Sequence, residues 1–165
     1  MMRAAAAAFV VSLSLLGASA CAAKVNLTTG LEVTEVLTGF YDAGLKDGWN
    51  YLKPSMTFRL KNKAQEEIGP IQLTVAFWRD GDDGEWDSHI IRAIRGEGLA
   101  VGASTEPIVA RSPNVGFKLE GARADFFNHS AFTDVEARLF ASQAGNIYPL
   151  GTFKIDRVII PHMGN

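Results

Sequence analysis

The sequence predicts an all-β fold, a two-sheet antiparallel sandwich of seven to eight strands, and three observations predict it. The dominant hydropathy period is two, turn signals recur at fairly regular intervals, and long amphipathic helix patterns are missing. A period of two sends successive side chains to opposite faces of a strand. Where only one face is apolar the strand suits an antiparallel sheet, because buried parallel strands read as continuous apolar runs.

Taken from the N-terminus, the first element stands outside the fold. "MMR" supplies a short positive segment through Arg3, and an apolar run follows from Ala4 to Leu16. That run is shorter than the roughly 20 residues of a membrane-spanning helix and matches the apolar region of a signal peptide. Residues 1–20 are read as an export signal. Three cuts compete at its end. "ASA" before Cys21 fits ordinary signal peptidase, and "ACA" allows a cut after Ala22 that discards the thiol. Third, "ASAC" resembles the lipobox of bacterial lipoproteins, with Ala18 where the usual pattern has leucine. Cys21 is the sole cysteine. Exported domains pair their cysteines or avoid them, which favours a thiol converted to a thioether. The resemblance implies a multiply acylated Cys21, held at a membrane through its lipid, since two or more chains hold stably where one holds marginally. Ala22 leaves no inner-membrane retention aspartate, so the resemblance implies outer-membrane sorting, with a secreted or periplasmic location as the alternative. Residues 21–30 read as the lipidated cysteine and a short tether, whose nine residues after Cys21 reach at most about 30 Å.

Residues 31–165 have the length of a single domain, enough to bury a core without disulfides. Strands are expected near 32–40, 54–62, 71–79, 86–95, 105–111, 115–120, 132–142 and 147–159. In "MTFRLKN", Met56, Phe58 and Leu60 alternate with Thr57, Arg59 and Lys61. In "IQLTVAFWR", Ile71, Leu73, Val75 and Phe77 alternate with Gln72, Thr74, Ala76 and Trp78. In "DVEARLFAS", Val135, Ala137, Leu139 and Ala141 alternate with Glu136, Arg138 and Phe140. "DAGLKDG", "EEIGP", "DGDDGE", "RGEG", "RSPN" and "QAGN" supply the turns. "LEGARADFF" is the exception, a helical turn or a crossing loop. This pattern points to an immunoglobulin-like sandwich lacking the cysteine pair of antibody domains. The stretch from Met56 to Trp86 resembles the central hairpins of FxLYD-type domains, immunoglobulin-like modules common in bacterial lipoproteins. Lys61-Asn62, Phe77 and Asp80-Gly81 sit at comparable places, while Arg79 replaces the expected aromatic and Trp78 comes one residue early. The resemblance spans about a quarter of the chain and implies a fold, not a function.

Removing Arg3 from the 16 basic residues leaves 15 against 18 acidic, a formal charge of −3. With no basic run, nucleic acid is not an expected partner. His89, His129 and His162 are scattered, and Ser104 sits on an ordinary turn without a recognisable partner. No nucleophile elbow, phosphate loop or dinucleotide fingerprint occurs. No catalytic residue, metal or cofactor is expected, and the chain is read as not an enzyme. The acidic loop from Asp80 to Asp87 offers oxygen ligands suited to Ca²⁺. Gly84 breaks the EF-hand order, and the Asp-Gly pairs fit a solvated hairpin turn instead. Trp78 falls out of phase with its core-facing neighbours, and Trp86 lies across the hairpin, in one register as a direct neighbour. These two are the candidate binding residues, with Phe40, Tyr41, Trp49 and Tyr51 near another loop. Exposed aromatic patches mark binding surfaces unless a loop, the tether or a sheet edge covers them. The expectation is a lipid-anchored, non-catalytic envelope module that binds or scaffolds a protein or glycan partner. A secreted glycan-binding or adhesion module is the alternative, and a hydrolase comes last.

Overall fold

A computed structural model describes residues 25–120 and 123–160. The export signal, Cys21 and His162 lie outside the described residues. Two sheets stack face to face. The first contains β1 (Leu31–Lys46), β2 (Trp49–Asn62), β5 (Ile108–Arg111), β6 (Phe117–Leu119) and β9 (Ile159–Ile160). Its order is β5-β2-β1-β9, with β6 also paired to β2. The second contains β3 (Ile71–Arg79), β4 (Asp87–Ile94), β7 (Val135–Gln143) and β8 (Asn146–Lys154), in the order β4-β3-β7-β8. Every pairing is antiparallel except that of β1 with β9. The all-β, two-sheet expectation is met with five strands against four.

The core is the set the alternation selects. Leu52, Met56, Phe58 and Leu60 of β2 face Leu73, Val75 and Phe77 of β3 and Ala137, Leu139 and Ala141 of β7, all essentially inaccessible. One end is closed by rings. A 3₁₀ helix, Arg123–Asn128, delivers Phe126 and Phe127 against Phe40, Phe117 and Phe132, with centroids 5.0–6.1 Å apart. The "RADFF" part of "LEGARADFF" is therefore a helical turn whose two phenylalanines plug the core. At the other end a single helical turn, α1 (Leu27–Gly30), buries Leu27 completely. Residues 25–30 thus belong to the folded body, with Val25 packed onto Gly30 and the core.

Two turns differ from the sequence reading. "DAGLKDG" lies mostly inside β1, which bulges between Asp42 and Leu45, where Gly44 (φ +91°) donates its N–H to Asp42. The chain reverses only at Asp47-Gly48, where both φ angles are positive, 50° and 79°. That is the type I′ geometry whose twist matches a hairpin. Ala144-Gly145 repeats it between β7 and β8. The expected strand 147–159 divides, because Ile155, fully buried, carries the chain from one sheet to the other. There the Asp156 N–H donates to Thr38 Oγ1 at 3.1 Å, and β9 then lies beside β1. Gly39 makes room for that crossing, since a Cβ there would meet the Val158 carbonyl at 2.9 Å.

The sandwich is closed along both sides. On one, α1 and β1 pack beside β8. On the other, β4 is fastened to the opposite sheet. The Arg111 N–H donates to His89 Nδ1 at 3.2 Å, and the Asp87 carboxylate reaches the β5–β6 connection. Its Oδ1 accepts from the Ser88 N–H (2.9 Å) and the Asn114 amide (3.1 Å). Its Oδ2 accepts from the Ser112 hydroxyl (2.5 Å) and the N–H groups of Asn114 (2.8 Å) and Val115 (3.1 Å). Burial alone would raise its pKa, but these donors together, Ser112 first, hold it down at about 2 against an ordinary 3.8. A carboxyl with a lowered folded pKa stabilises the fold above its unfolded value and loses that contribution as pH falls. Asp87 should therefore contribute about 2 kcal/mol at neutral pH, lost between about pH 4 and pH 2. Urea titrations at stepped pH should show that acid limb in the native chain and a much flatter one in Asp87→Asn; identical limbs would refute the clasp.

Candidate functional site

The outward side chains of the four-stranded sheet are fixed by its register. Ile90, Thr74, Phe140 and Pro149 form one row across the four strands. Arg92, Gln72, Ser142 and Ile147 form the next row, toward the α1 end. Toward the phenylalanine plug lie Ala76 with Arg138, then Trp78, Glu136 and Lys154. Ala76 is buried in this face, whereas Ile90 and Ile147 are 60% and 70% exposed. The face combines an apolar middle with cations: Arg92, Arg138 and Lys154 against the single carboxylate Glu136.

Trp78 is on this face, as its phase predicts, but its ring is occupied. The Arg138 guanidinium sits 3.9 Å from the ring centroid and is held there by Glu136, 2.7 Å from Nε and 2.6 Å from Nη2. The indole Nε1 is buried without a hydrogen-bond partner among the described residues. Beside it opens a recess of about 450 Å³ lined by Trp78, Arg79, Asp82, Asp134, Arg138 and Lys154 among others. Asp134 there accepts from Arg157 at 2.8 and 3.0 Å and lies 3.3 Å from Lys154. The Arg157 hydrogen bonds first, then Lys154, overcome the opposing effect of burial and hold its carboxyl below the ordinary carboxylate range. Asp134 in turn raises the Arg157 pKa. The recess thus carries matched charges of both signs.

Trp86 goes the other way. Its N–H donates to the Phe77 carbonyl at 2.8 Å, one residue out of step with the Phe77–Asp87 pairing, and the chain turns its ring inward. The indole packs on the core with its centroid 5.0 Å from Phe117. The two tryptophans therefore take different sides of the sheet. Phe40 is core, while Tyr41 and Trp49 are outward on the five-stranded sheet and lidded by Arg111 (4.0 Å) and Lys118 (4.3 Å). A cation above an aromatic face is attractive and covers it.

The acidic loop behaves as a turn. Arg79 forks onto both Asp82 oxygens at 2.9 and 3.0 Å, the Asp82 N–H closes back on the Arg79 carbonyl, and Asp87 is committed to the clasp. Among the described residues no group of three or more His, Cys, Asp and Glu is placed to hold a metal ion. His129 caps its own loop by accepting from the Ala131 N–H. The residues that sequence reasoning did not single out are Ile90, Arg92, Phe140 and Ile147. Their phase opposite the core was readable; that β4, β3, β7 and β8 lie side by side was not.

No protein-family model matches this chain, and neither does any curated protein. Among solved structures, a Northeast Structural Genomics Consortium target, SoR45, is similar over 84% of this chain and 96% of its own, with 12% identity and a TM-score of 0.43.

Proposed function

We propose that this chain is an exported, lipid-anchored envelope module that does no chemistry and acts by contact, through the outer face of its four-stranded sheet. The observation that carries the reading is that face itself: exposed Ile90 and Ile147 beside Phe140 and Trp78, rimmed by cations and left open by a fold whose sides are closed. Large apolar side chains exposed on one sheet face suit a site of contact. With Val25 packed on the core, an acyl group on Cys21, four residues earlier in sequence, would hold the body within about 14 Å of the bilayer. The resemblance to FxLYD-type lipoprotein modules belongs to the same proposal. Its Lys61-Asn62 strand end has a physical reason here, since Asn62 is a buried organiser of the following turn. Glycan stacking on Trp78 is disfavoured, because the Arg138 guanidinium already takes a ring face.

Two measurements test the reading. Metabolic labelling with a fatty-acid analogue should mark the native chain and leave Cys21→Ser unlabelled. A photo-crosslinking residue at Ile90 should form adducts in intact membranes, while the same residue at Leu37, on the other sheet, should form few. An unlabelled chain free in the medium, or equal crosslinking from both positions, would contradict it.

A further inference from the structure

We infer that the partner of this face is the anionic lipid surface itself, so that the body lies against the bilayer on its four-stranded sheet. The inference rests on the contact reading above and names its partner. Three observations carry it.

The first is charge. In a chain of net charge −2, the face holds Arg92, Arg138 and Lys154 against one carboxylate. That carboxylate, Glu136, is bound to Arg138 at the plug end. The half of the face nearest α1 has no carboxylate in either row, and Arg92 there has no ion-pair partner among the described residues. Arg138 is paired with Glu136 and Lys154 lies 3.3 Å from Asp134, so Arg92 is the unpaired cation of the face. An apolar centre with such a cation at its rim suits an anionic interface, where basic side chains meet headgroups and apolar ones reach toward the acyl boundary. Trp78 at the far end is the residue type that settles at headgroup level.

The second is position. Gly30 sits against Ala64 and Ile68, just ahead of β3, so the N-terminal end of the body coincides with the start of β3 and of β8. α1 packs beside β8, whose second residue is Ile147. A lipid on Cys21 would thus enter the bilayer next to the carboxylate-free half of this face, not next to the plug.

The third is contrast with the other sheet. Its outer face also exposes Leu37 and Val109, and, Lys61 apart, most of its charges are spent within the molecule. Arg59 pairs with Glu35 at 2.9 Å and lies 3.9 Å from Glu106, Lys63 lies 3.9 Å from Glu32, and Lys53 donates to the Pro113 carbonyl. A second copy of the chain fits the four-stranded face poorly, because a two-fold stack sets the same cations against each other.

The test uses the exported Cys21→Ser chain, which has no acyl group, mixed with vesicles of phosphatidylglycerol or of phosphatidylcholine. It should sediment with the former, weakly with the latter, and less as salt rises. Arg92→Ala should lower the affinity about fivefold and Ile147→Asp should lower it at least as much. Leu37→Asp should change nothing, with all three variants keeping the parent melting temperature. Equal binding to both lipids, no binding to either, or loss caused by Leu37→Asp would overturn the inference. So would Ile90 crosslinks in membranes made to protein and not to lipid, an outcome that leaves the contact reading intact. Failure of acylation shows separately, as absence of the fatty-acid label.

Discussion

Phe40→Ala should remove about 3–5 kcal/mol of stability, the largest loss expected from any single truncation in the chain. Phe40 is fully buried in β1, and its ring is the hub of the plug, 5.5 Å from Phe127 and Phe132 and 6.0–6.1 Å from Phe117 and Phe126. Truncation loses the transfer free energy of the ring and leaves a cavity that four stiff neighbours fill poorly. Domains of this size hold about 5–15 kcal/mol in total, so a fifth or more of the stability is at stake. Equilibrium denaturation should show a lower midpoint with an unchanged slope. Phe40→Leu, which keeps most of the volume, should cost much less. A loss below about 1 kcal/mol for the alanine variant would mean that the plug is not packed as described.

Asn62→Ala should come second, at about 2–4 kcal/mol. The side chain is 1% exposed at the end of β2, and all its hydrogen-bonding capacity is directed inward. Its amide donates to the carbonyls of Glu66 (2.9 Å) and Leu99 (2.8 Å), and its oxygen accepts the Ala64 N–H at 2.8 Å. Its backbone adds bonds to Ala103 and Gly102. Alanine strands the Ala64 N–H and the Glu66 carbonyl and leaves the Leu99 carbonyl with the Ile68 N–H alone, and desolvated groups without partners are costly. Asn62→Asp keeps the acceptor but turns a charge toward two carbonyl oxygens, so it should not rescue the fold. Hydrogen exchange at the Ala64 amide should accelerate in both variants; unchanged protection there would show that the turn does not depend on Asn62.

The strands were legible because one-sided alternation follows directly from burying a single face. β3 was placed at its observed ends, and β2 and β7 were found with their core residues correct. What escaped depends on contacts made far along the chain. "DAGLKDG" is rich in turn formers, yet pairing with β2 draws most of it into β1, and only Asp47-Gly48 meets the hairpin requirement for two positive φ angles. The phenylalanines at 126 and 127 show no period because they enter the core from a 3₁₀ helix at its end. Trp86 was placed opposite Trp78 by simple register; one out-of-step hydrogen bond at the strand's start turns it inward. The outer face of the four-stranded sheet was half legible. Phase told which way Trp78 and Arg138 point, but sheet order alone brings Ile90 and Ile147 onto the same surface.

The shut sides of the sandwich have a consequence for how it recognises anything. With β4 clasped through Asp87 and His89, and α1 and β1 packed beside β8, both long margins of the four-stranded sheet are held against the rest of the body. On the proposed contact reading, adhesion then falls to the side chains of a firmly held slab. A few replacements on that slab can retune what it adheres to while the scaffold beneath stays unaltered.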